Sequence, residues 1–586
     1  MGLNAQIAGA LTEMARLSEL TGADSFRVRA YQRAARAFES LTTDAGDLDR
    51  QALLELDGVG HKMAEKVEHI AATGTFPELD ELRDKTPAGL IEVLRIPGLG
   101  PKTVRAIWQT LGVESLDDLK KSIDDESIAT VPRMGAKTIE NIARAIDFAA
   151  SAGDRTRLGL AAPLAALVRE RLADVAGVKR LESAGSLRRG KETIGDLDIL
   201  AVCDDPAALS QAFCDMPGVD EVLAHGETKS SVRMSIPNPR GGADARIQVD
   251  LRVVPEDAWG AALMYFTGSK EHNVRLRERA KKQGLTLNEY GLFPDDNEKE
   301  PPQKRGVKPK ASKTEESIYN ALGLSYMPPE IREDTGELDL DRAPRLIEVD
   351  DIVSELHAHT TASDGVLSIE ELAKEAKSRG FHTIAVTDHS KSQQVAHGLS
   401  EERLREHIKA IRAAKVAGIS ILTGSEVDIM PDGNLDYDDD LLAELDVVVA
   451  SPHWSLQQKP DKATKRLLKA IEHPLVHIVG HPTGRLINKR GGLEPAMNEL
   501  IAAAIEHNVA LEINCHWMRL DLRDTHVRAA VEAGALIAID CDVHSAPDFD
   551  NIAYGVATGR RGWLTPENVV NTWTKKKLHD WLKAKR

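Results

Sequence analysis

Residues 185–198 combine a glycine-rich turn with two aspartates, and they read Gly-Ser-Leu-Arg-Arg-Gly-Lys-Glu-Thr-Ile-Gly-Asp-Leu-Asp. Asp196 and Asp198 begin an apolar stretch typical of a strand, in which alternate residues point to the same face. A further aspartate, Asp250, lies in a second strand-like run. Three such carboxylates can hold two divalent cations against the phosphates of a nucleotide, which is the chemistry of phosphoryl transfer.

The turn before Asp196 offers the groups that bind phosphate. Its glycines expose backbone N–H groups, Ser186 adds a hydroxyl, and Arg188 and Arg189 add positive charge. An Asp-x-Asp pair alone is more often a solvated strand edge, but the preceding turn favours a nucleotide site. The sequence therefore predicts a polyphosphate cradle joined to a pair of metal-binding carboxylates.

Length and composition predict a protein of several domains. With 586 residues, the chain exceeds what one hydrophobic core organises, and we expect about three to five domains. No apolar run approaches the roughly 20 residues that span a bilayer, and no basic and apolar segment typical of a secretory signal is present near Met1. Four scattered cysteines fit a reducing cytosol, so we expect a cytoplasmic protein without membrane contact.

The net charge of −17 does not exclude a nucleic-acid partner, because binding footprints are local and metal-binding carboxylates add to the negative total. Histidine is unevenly distributed, and 15 of the 19 histidines follow residue 350. This asymmetry predicts a separate, metal-rich C-terminal domain.

The first 150 residues are predicted to be helices joined by short glycine turns. Three of these turns, at 56–62, 96–102 and 131–137, resemble one another, and each precedes an amphipathic helix. The pattern is typical of the helix-hairpin-helix motif, in which a DNA phosphate approaches backbone N–H groups at a helix start. In the third copy, Arg133 replaces the first glycine, which weakens the case for phosphate binding there. The predicted DNA-binding glycines are Gly58, Gly60, Gly98, Gly100 and Gly135.

After residue 350, seven apolar runs alternate with amphipathic stretches, which predicts a parallel barrel with its helices outside. Such barrels place their sites at the C-terminal ends of the strands. Imidazole and carboxylate side chains gather at these predicted ends, and together they suit Zn, Mn or Fe. The predicted ligands of a polynuclear metal centre are His357, His359, Asp364, His389, Glu426, His453, His481, Asp542 and His544.

Other polar residues of the C-terminal half are weaker candidates. Asp388 also closes the second predicted strand, and His397, Asn514 and His516 lie near strand ends. We assign the remaining histidines of the helices and strand interiors as solvated or core residues: His382, His407, His473, His477, His507 and His526.

Together these motifs resemble the bacterial and archaeal family X DNA polymerases that carry a C-terminal PHP (polymerase and histidinol phosphatase) domain. The resemblance covers essentially the whole chain. It includes the hairpin repeats, the Gly-Ser-x-Arg-Arg-Gly and Asp-x-Asp run, Tyr-Phe-Thr-Gly-Ser at 265–269, and the His-x-His, Thr-Asp-His and Asp-x-His motifs in order.

The resemblance implies a multidomain α and α/β fold. A helical N-terminal region with helix-hairpin-helix motifs would precede a nucleotidyltransferase palm with a mixed sheet and a C-terminal seven-stranded (β/α) PHP barrel. The implied division is a lyase-like DNA-binding domain (1–85), a helix-hairpin-helix DNA-binding subdomain (86–154), the palm (155–255), a nucleotide-selection subdomain (256–335), a linker (336–350) and the metal-dependent phosphoesterase barrel (351–586).

The resemblance also implies roles for single residues. Asp196, Asp198 and Asp250 match metal-binding aspartates, with Asp250 as general base for the primer 3′-hydroxyl or as the ligand nearest to it. Two positions depart from the vertebrate pattern, where Ile194 would be Ser and Gln248 would be Arg, which affects triphosphate affinity or primer positioning. The matches to nucleotide-binding residues are Ser186, Arg189, Gly195, Tyr265, Phe266, Gly268 and Asn273, and Arg277 matches a template-contacting arginine.

In the N-terminal region, Lys66 falls where lyase-competent relatives keep the amine that forms a Schiff base with a 5′-deoxyribose phosphate. Tyr31 matches a tyrosine of the same pocket. The alternative is that Lys66 lies on a helix surface and contacts phosphate, and the sequence leaves both interpretations open.

The function implied is a template-directed, gap-filling DNA polymerase of base excision repair. Mg²⁺ would serve the polymerase site, and Mn²⁺ or Zn²⁺ would serve a 3′–5′ exonuclease or phosphoesterase in the barrel. The implied partners are gapped or primed DNA and a dNTP, and nothing in the sequence requires more than a monomer. The alternatives are a purely structural barrel, a template-independent nucleotidyltransferase, against which the hairpin repeats and Asn273 argue, and a non-catalytic DNA-binding scaffold.

Overall fold

The computed structural model describes the chain except residues 1–2, 42, 88, 95–98, 133, 136–137, 140–141, 143–154, 237–244, 297 and 586. The chain forms two compact units, residues 1–154 and 155–586. In the described part of the chain, each helix is either too short or too polar to cross a bilayer.

The described secondary structure of the N-terminal unit is helical. Its helices are α1 (Leu3–Thr21), α2 (Ser25–Ser40), α3 (Arg50–Glu55), α4 (His61–Thr73), α5 (Pro77–Lys85), α6 (Gly89–Val93), α7 (Pro101–Leu111) and α8 (Leu116–Asp124). Ile7, Leu11 and Met14 recur at helical spacing along α1 and are fully buried in the core of this unit. α4 and α7 each begin directly after a glycine of a predicted hairpin.

The palm region, residues 155–255, is built on a mixed sheet. Its elements are β1 (Thr156–Arg157), α9 (Leu158–Ala173), β2 (Val178–Ser183), α10 (Gly185–Arg188), β3 (Thr193–Ile194), β4 (Asp196–Cys203), α11 (Pro206–Cys214), β5 (Val219–Ala224), β6 (Lys229–Ile236) and β7 (Ala245–Val253). The five-stranded sheet has the order β2-β4-β7-β6-β5, in which only β4 and β7 are parallel neighbours.

Alternation along β4 separates the core from the site. Leu197 and Ile199 point into a core that α9 and α11 cover. On the opposite face, Leu200 and Val202 pack against Trp259. Because side chains alternate between faces, Asp196 and Asp198 share this second face with Leu200.

The region that follows the palm is helical with one hairpin. Its elements are α12 (Trp259–Thr267), α13 (Lys270–Lys282), β8 (Leu285–Asn288), β9 (Gly291–Pro294) and α14 (Glu315–Ala321). The segment 336–350, assigned above as a linker, is packed, since Leu338 and Leu346 are buried in the core of this region and Ile347 is buried in the core of the barrel. Trp563 of the barrel completes the first of these cores.

The C-terminal region is a seven-stranded, all-parallel barrel with strands in sequential order, as the sequence predicts. Its strands are β10 (Ser354–Glu355), β11 (Thr383–Val386), β12 (Ser420–Asp428), β13 (Val447–Ser451), β14 (Ile478–Val479), β15 (Ala510–Asn514) and β16 (Leu536–Asp540). Its helices are α15 (Ile369–Ser378), α16 (Glu401–Ala413), α17 (Asp439–Leu442), α18 (Pro460–Ile471), α19 (Met497–Glu506), α20 (Asp524–Ala533), α21 (Ile552–Arg561) and α22 (Lys575–Lys583).

A buried asparagine closes the barrel between its first and last strands. Asn571 Nδ2 donates to the backbone oxygen of Ser354 in β10 (3.1 Å) and to Asp540 Oδ1 in β16 (2.8 Å). Its Oδ1 accepts a hydrogen bond from the backbone N–H of Ile539 (2.8 Å). A side-chain amide thus replaces part of the backbone ladder that the two end strands lack between them.

We predict that Asn571→Ala destabilises the barrel by about 2–4 kcal/mol, because the buried N–H of Ile539 and the carbonyl of Ser354 lose their partner. Thermal unfolding followed by circular dichroism and tryptophan fluorescence measures the effect. Asn568→Ala is the matched control, since Asn568 lies on the same segment and donates to a single carbonyl, that of Ala535. An equal loss of stability in the two variants would contradict the bridging role.

Candidate active sites

Neighbouring strands bring the three predicted aspartates to one place on the palm sheet. β4 and β7 pair in parallel, with Asp198 opposite Asp250 and Asp196 opposite Gln248. Cα atoms of neighbouring strands lie about 5 Å apart, so the side chains of this face meet. The structure thus assembles the carboxylate cluster that the sequence suggests.

The three carboxylates have different electrostatic environments. Burial first, and then the negative charges of Asp196 and Asp250, raise the pKa of Asp198 to about 7. Burial and then Asp250 also raise the pKa of Asp196. Burial opposes ionisation of Asp250 too, but hydrogen bonds, first from Lys229, hold its pKa below the usual value. Repulsion that keeps a proton on Asp198 near neutral pH is what a divalent cation would relieve, so the donor set fits a metal.

Two polar residues that the sequence analysis missed hold Asp250. Lys229 Nζ lies 2.8 Å from Asp250 Oδ2, and Gln248 Nε2 donates to Asp250 Oδ1 at 2.8 Å. Gln248 was noted only as a departure from a family pattern. Lys229 gave no sequence signal, because only the antiparallel pairing of β6 with β7 places it beside the carboxylate.

The glycine-rich turn packs directly against the carboxylates. Gly185 has a φ of +60°, and a Cβ there would lie 2.5 Å from Asp198 Oδ2, so only glycine fits. Ser186 lies in the same turn, in α10. Gly195 is exposed beside Arg155, whose Nη1 lies 3.0 Å from the position a Cβ would take. Arg155 is a second cation that the sequence analysis missed.

The two arginines of the turn have different partners. Arg188 forms a bidentate ion pair with Glu315, at 2.9 and 2.7 Å. We therefore interpret Arg188 as a residue that holds the fold together. Arg189 donates from Nε to Glu333 (3.1 Å) and from Nη1 to the backbone oxygen of Thr267 (2.5 Å). These bonds use one donor from each edge of the Arg189 guanidinium and fix its plane.

The predicted sugar- and base-contacting residues lie beside this turn. Gly268 has a φ of +72°, and a Cβ there would lie 3.2 Å from Arg189 Nη1. Tyr265 and Phe266 pack edge to face with ring centroids 5.2 Å apart. Asn273 Nδ2 donates to the backbone oxygen of Tyr265 (2.7 Å), while its buried Oδ1 has no hydrogen-bond partner among the described atoms. Arg277 is exposed on α13.

The barrel carries the second candidate site, at the C-terminal ends of its strands. Eight of the nine predicted ligands offer atoms to three overlapping groups, within each of which the ligand atoms lie within 4.8 Å of one another. The first contains His359, Asp364, His389 and His544; the second contains His357, His359, Glu426 and Asp542; the third contains His389, Glu426 and His453. The ninth, His481, places its Nε2 2.8 Å from Glu426 Oε1.

The ligand atoms of these groups are buried without the hydrogen bonds that such atoms require. His357 Nε2, both ring nitrogens of His359, Glu426 Oε2 and Asp542 Oδ1 make no hydrogen bond of acceptable geometry among the described atoms. Buried polar atoms are rarely left in this state. The site therefore fits bound cations, and sharing of His359, His389 and Glu426 between groups fits a polynuclear centre.

Backbone strain at two ligand positions also indicates a functional site. His481 and Asp542 have φ values of +26° and +54°. Residues other than glycine adopt positive φ at an energetic cost, and such residues concentrate at functional sites.

A second layer of carboxylates orients the imidazoles. Glu512 accepts from His357 Nδ1 at 2.7 Å, and Asp428 accepts from His453 Nδ1 at 2.5 Å. Such partners fix which ring nitrogen faces a metal. Both carboxylates lie on strands at positions that face the barrel interior, which is the sequence signal that could have identified them.

Asp388 and His407 form a separate buried pair near these ligands. Asp388 accepts hydrogen bonds from Thr360 and Ser363, and His407 Nε2 lies 2.8 Å from its Oδ2. His407 lies on α16, with its side chain only 9% exposed, and its partner is distant in sequence. Asp388 is likewise absent from the three ligand groups found among the described residues.

The pocket above the ligands has a positively charged residue on its rim. Besides metal-type residues, its lining includes Gln393, Ala396 and Arg519. Arg519 follows β15 in the loop at the mouth of the barrel, and its position after a strand was the only available signal. A guanidinium beside a cluster of this kind can bind a phosphate.

The glycines of the predicted hairpins in the N-terminal unit differ in the space around them. Gly58 has a φ of +78°, and a Cβ there would lie 2.8 Å from a neighbouring side chain, so glycine is required. At Gly60, Gly100 and Gly135 no described heavy atom lies within 4 Å of a Cβ position. Gly98 lies outside the described residues. The backbone N–H groups that follow Gly60 and Gly100 open α4 and α7.

Lys66 lies in a partly buried pocket of the N-terminal unit. Its ammonium forms an ion pair with Glu78 and lies 5.0 Å from the ring centroid of Phe76. Tyr31 stacks on the same ring at 6.4 Å. The side chain of Lys66 is 16% exposed.

Family models match four parts of the chain. A DNA polymerase beta thumb model matches residues 262–333, and a PHP domain model matches residues 355–516. A helix-hairpin-helix domain model matches residues 2–76, and a SAM-like helix-hairpin-helix tandem model matches residues 90–147.

The chain is also similar to named proteins. It is 36% identical over 568 residues to the DNA polymerase/3′-5′ exonuclease PolX of Bacillus subtilis, which covers 96% of each chain. It is 28% identical over 345 residues to DNA polymerase lambda of Rattus norvegicus, with 56% of each chain covered. A probable phosphatase of Thermoanaerobacter is 30% identical over 247 residues, which is 40% of this chain and 96% of that protein.

We predict that Asp198→Asn stabilises the metal-free protein, with the larger gain at high pH. The pKa of Asp198 is about 7 in the folded state, whereas that of an aspartate in the unfolded chain is about 4. The folded state therefore binds more protons between these values, and ionisation increasingly disfavours it as the pH rises to about 7. Differential scanning calorimetry in EDTA, at about pH 5 and about pH 8, measures the difference.

Asp257→Asn is the control for this prediction, because Asp257 is an exposed aspartate just beyond the palm sheet. It should leave the unfolding temperature unchanged at both pH values. A gain for Asp198→Asn that is equal at the two pH values, or greater at the lower one, would show that its carboxylate is not strained by its neighbours.

Proposed function

The chain belongs to the family X DNA polymerases that carry a C-terminal PHP domain, and on that premise we propose that it is a template-directed, gap-filling repair polymerase with a nuclease in its barrel. Its substrates would be gapped or primed DNA and a dNTP, and its pathway base excision repair. The observation that carries the polymerase assignment is the pairing of Asp198 with Asp250 beside the glycine turn at 185–190.

In the polymerase site, the protein's part is to hold the reactants and the charges. Asp196, Asp198 and Asp250 would bind two Mg²⁺ ions, which when present activate the primer 3′-hydroxyl and neutralise the leaving pyrophosphate. Lys229 keeps the Asp250 carboxylate ionised, which makes it a weak base. We therefore assign Asp250 as a ligand near the primer hydroxyl rather than as the general base.

The nucleotide would lie between the turn and α12. Ser186 and the Nη2 group of Arg189 face the triphosphate in this proposal, while Tyr265 and Phe266 pack on the sugar. Asn273, with its unpaired Oδ1, would reach the base. The geometry supports this placement because Gly268 and Arg189 are in contact.

DNA would be held by phosphate contacts. The N–H groups after Gly60 and Gly100 open two helices and would bind phosphates without reading sequence. Arg277 is exposed on α13 and would contact the template strand.

In the barrel, we propose a 3′–5′ exonuclease that uses Mn²⁺ or Zn²⁺. The ions would activate water for attack on a phosphodiester. Glu512 and Asp428 orient His357 and His453, and Arg519 would hold the phosphate under attack. The alternative of an inert scaffold is disfavoured by Arg519 in the lining of the pocket, since a purely structural metal site has no need of a phosphate-binding cation.

We predict that the two activities separate by mutation. On a one-nucleotide gap with a 5′-phosphate, Asp198→Asn should lower insertion in Mg²⁺ by at least about a thousandfold, because a metal ligand is lost. Its Mn²⁺-dependent exonuclease activity and its DNA affinity should be retained, because phosphate contacts carry the affinity. His359→Asn should show the reverse pattern. Gel-based extension and degradation assays, with and without template, measure both.

The pattern of results distinguishes the alternatives. Extension that does not require the template would show a template-independent transferase. Degradation that survives His359→Asn would place the nuclease outside the barrel or in a contaminant. Wild-type protein without degradation in Mn²⁺ or Zn²⁺ would support a structural barrel.

We further propose that Lys66 is the nucleophile of a 5′-deoxyribose-phosphate lyase. The position of its ammonium beside Phe76, on which Tyr31 stacks, supports this role. Lys66 is ion-paired with Glu78, so the side chain must leave this partner and give up a proton before the amine attacks.

We predict that borohydride traps the wild-type protein on DNA with a 5′-deoxyribose phosphate, and that Lys66→Ala abolishes the covalent product. Lys62→Ala is the matched control, since Lys62 lies on α4 and is exposed. Denaturing gels of the labelled DNA measure the trapped fraction. Equal trapping by Lys66→Ala and by the wild type would assign the chemistry to another amine.

A further inference from the structure

A helix of the barrel, α21, packs against the glycine-rich turn at 185–190. Gly190, in the loop that follows α10, has a φ of +63°, and a Cβ there would lie 3.2 Å from the Cβ of Ala557 on α21. On the last turn of α21, Arg561 Nη1 donates to the backbone oxygen of Arg189 at 2.9 Å. The segment that would bind the triphosphate therefore rests on a barrel helix.

Glu333 joins the same barrel arginine to the side chain of Arg189. Its Oε1 lies 2.9 Å from Arg561 Nη1 and 3.1 Å from Arg189 Nε. Lys191 Nζ approaches the same oxygen at 3.3 Å. Although burial opposes it, the positive charges, first that of Arg561, lower the pKa of Glu333 to about 2, so its carboxylate is ionised at neutral pH.

Arg561 is itself fixed from the barrel side. Its Nε donates to Asp524 Oδ2 of α20 at 2.8 Å, and its side chain is only 5% exposed. A planar guanidinium in this setting can bind two carboxylates and a carbonyl at once, which a flexible ammonium cannot reproduce. The position of Glu333 is thus set by the barrel.

The geometry leaves the Nη2 group of Arg189 for a ligand. Nε and Nη1 donate to Glu333 and to the Thr267 carbonyl, and these bonds orient the guanidinium plane. The direction of the Nη2 hydrogens therefore depends on Glu333, which Arg561 of the barrel holds in place.

We propose that Arg561, a residue of the barrel, is a positioning residue of the polymerase: through Glu333 it orients Arg189 toward the triphosphate. This inference rests on the proposed function, in which Arg189 binds the nucleotide. It gives the barrel a part in nucleotide binding that is independent of its own metal centre.

The test compares steady-state insertion on a one-nucleotide gap. Arg561→Met should raise the KM for dNTP by about tenfold with a smaller change in kcat, because an orienting contact to the nucleotide-binding group is lost. Arg561→Lys should fall between Arg561→Met and the wild type. Mn²⁺-dependent degradation by the barrel should remain at the wild-type level, which also shows that the variant is folded.

Arg560→Met is the matched control for loss of an interface ion pair. Arg560 lies next to Arg561 on α21, pairs with Glu330 at 2.7 Å and binds the carbonyl of Ile347. It should leave the KM for dNTP unchanged. An increase as great as that of Arg561→Met would overturn the proposal, since general loosening of the interface would then explain both.

A double-mutant cycle tests the route through Glu333. Glu333→Gln alone should raise the KM for dNTP, and its effect should be less than additive with that of Arg561→Met, because both act on Arg189. Additive effects, or no effect of Glu333→Gln, would overturn the proposal. Should Arg561→Met fail to fold, Arg561→Lys and Glu333→Gln carry the same test.

Arg189→Ala separates this inference from the proposed function. A KM for dNTP that Arg189→Ala leaves unchanged would reject Arg189 as a triphosphate ligand, and both proposals would fail together. A raised KM in Arg189→Ala with normal KM in Arg561→Met would reject the barrel's part alone.

Discussion

Like charges held close together on one face of the palm sheet are the constraint on which the rest of this structure depends. Burial first, and then the mutual repulsion of Asp196, Asp198 and Asp250, raises the pKa values of Asp196 and Asp198. Such clusters persist only when rigid surroundings prevent their relaxation. The parallel β4–β7 pair and the close approach of Gly185 supply that rigidity here.

In the barrel, clustered charged groups are stabilised in a different way. Its imidazoles and carboxylates are mixed, so positive and negative groups partly compensate: burial opposes it, yet Glu512, Glu426 and Asp542 raise the pKa of His357 well above its usual range. Opposed charges reduce the cost of the metal-free state. They do not remove it, because several ligand atoms still lack hydrogen bonds.

Much of this organisation could be predicted from local sequence. Strand periodicity and the positions of His357, Glu426 and Asp542 identified seven parallel strands and the residues at their ends, because period and strand polarity are local properties. Partners across elements could not be predicted. Lys229 reaches Asp250 only through the pairing of β6 with β7, and His407 reaches Asp388 only because α16 packs beside its strand.

Trp563 adds a consequence for how the chain can be divided. Its indole, which belongs to the barrel, is buried among Met264, Leu338 and Leu346 of the region before it, and Arg528 lies 3.5 Å above its ring. A polymerase fragment that ends at residue 350 would expose to water the apolar surface that Trp563 covers. In this chain the barrel and the region before it therefore share one hydrophobic core, and a cut between them would divide that core.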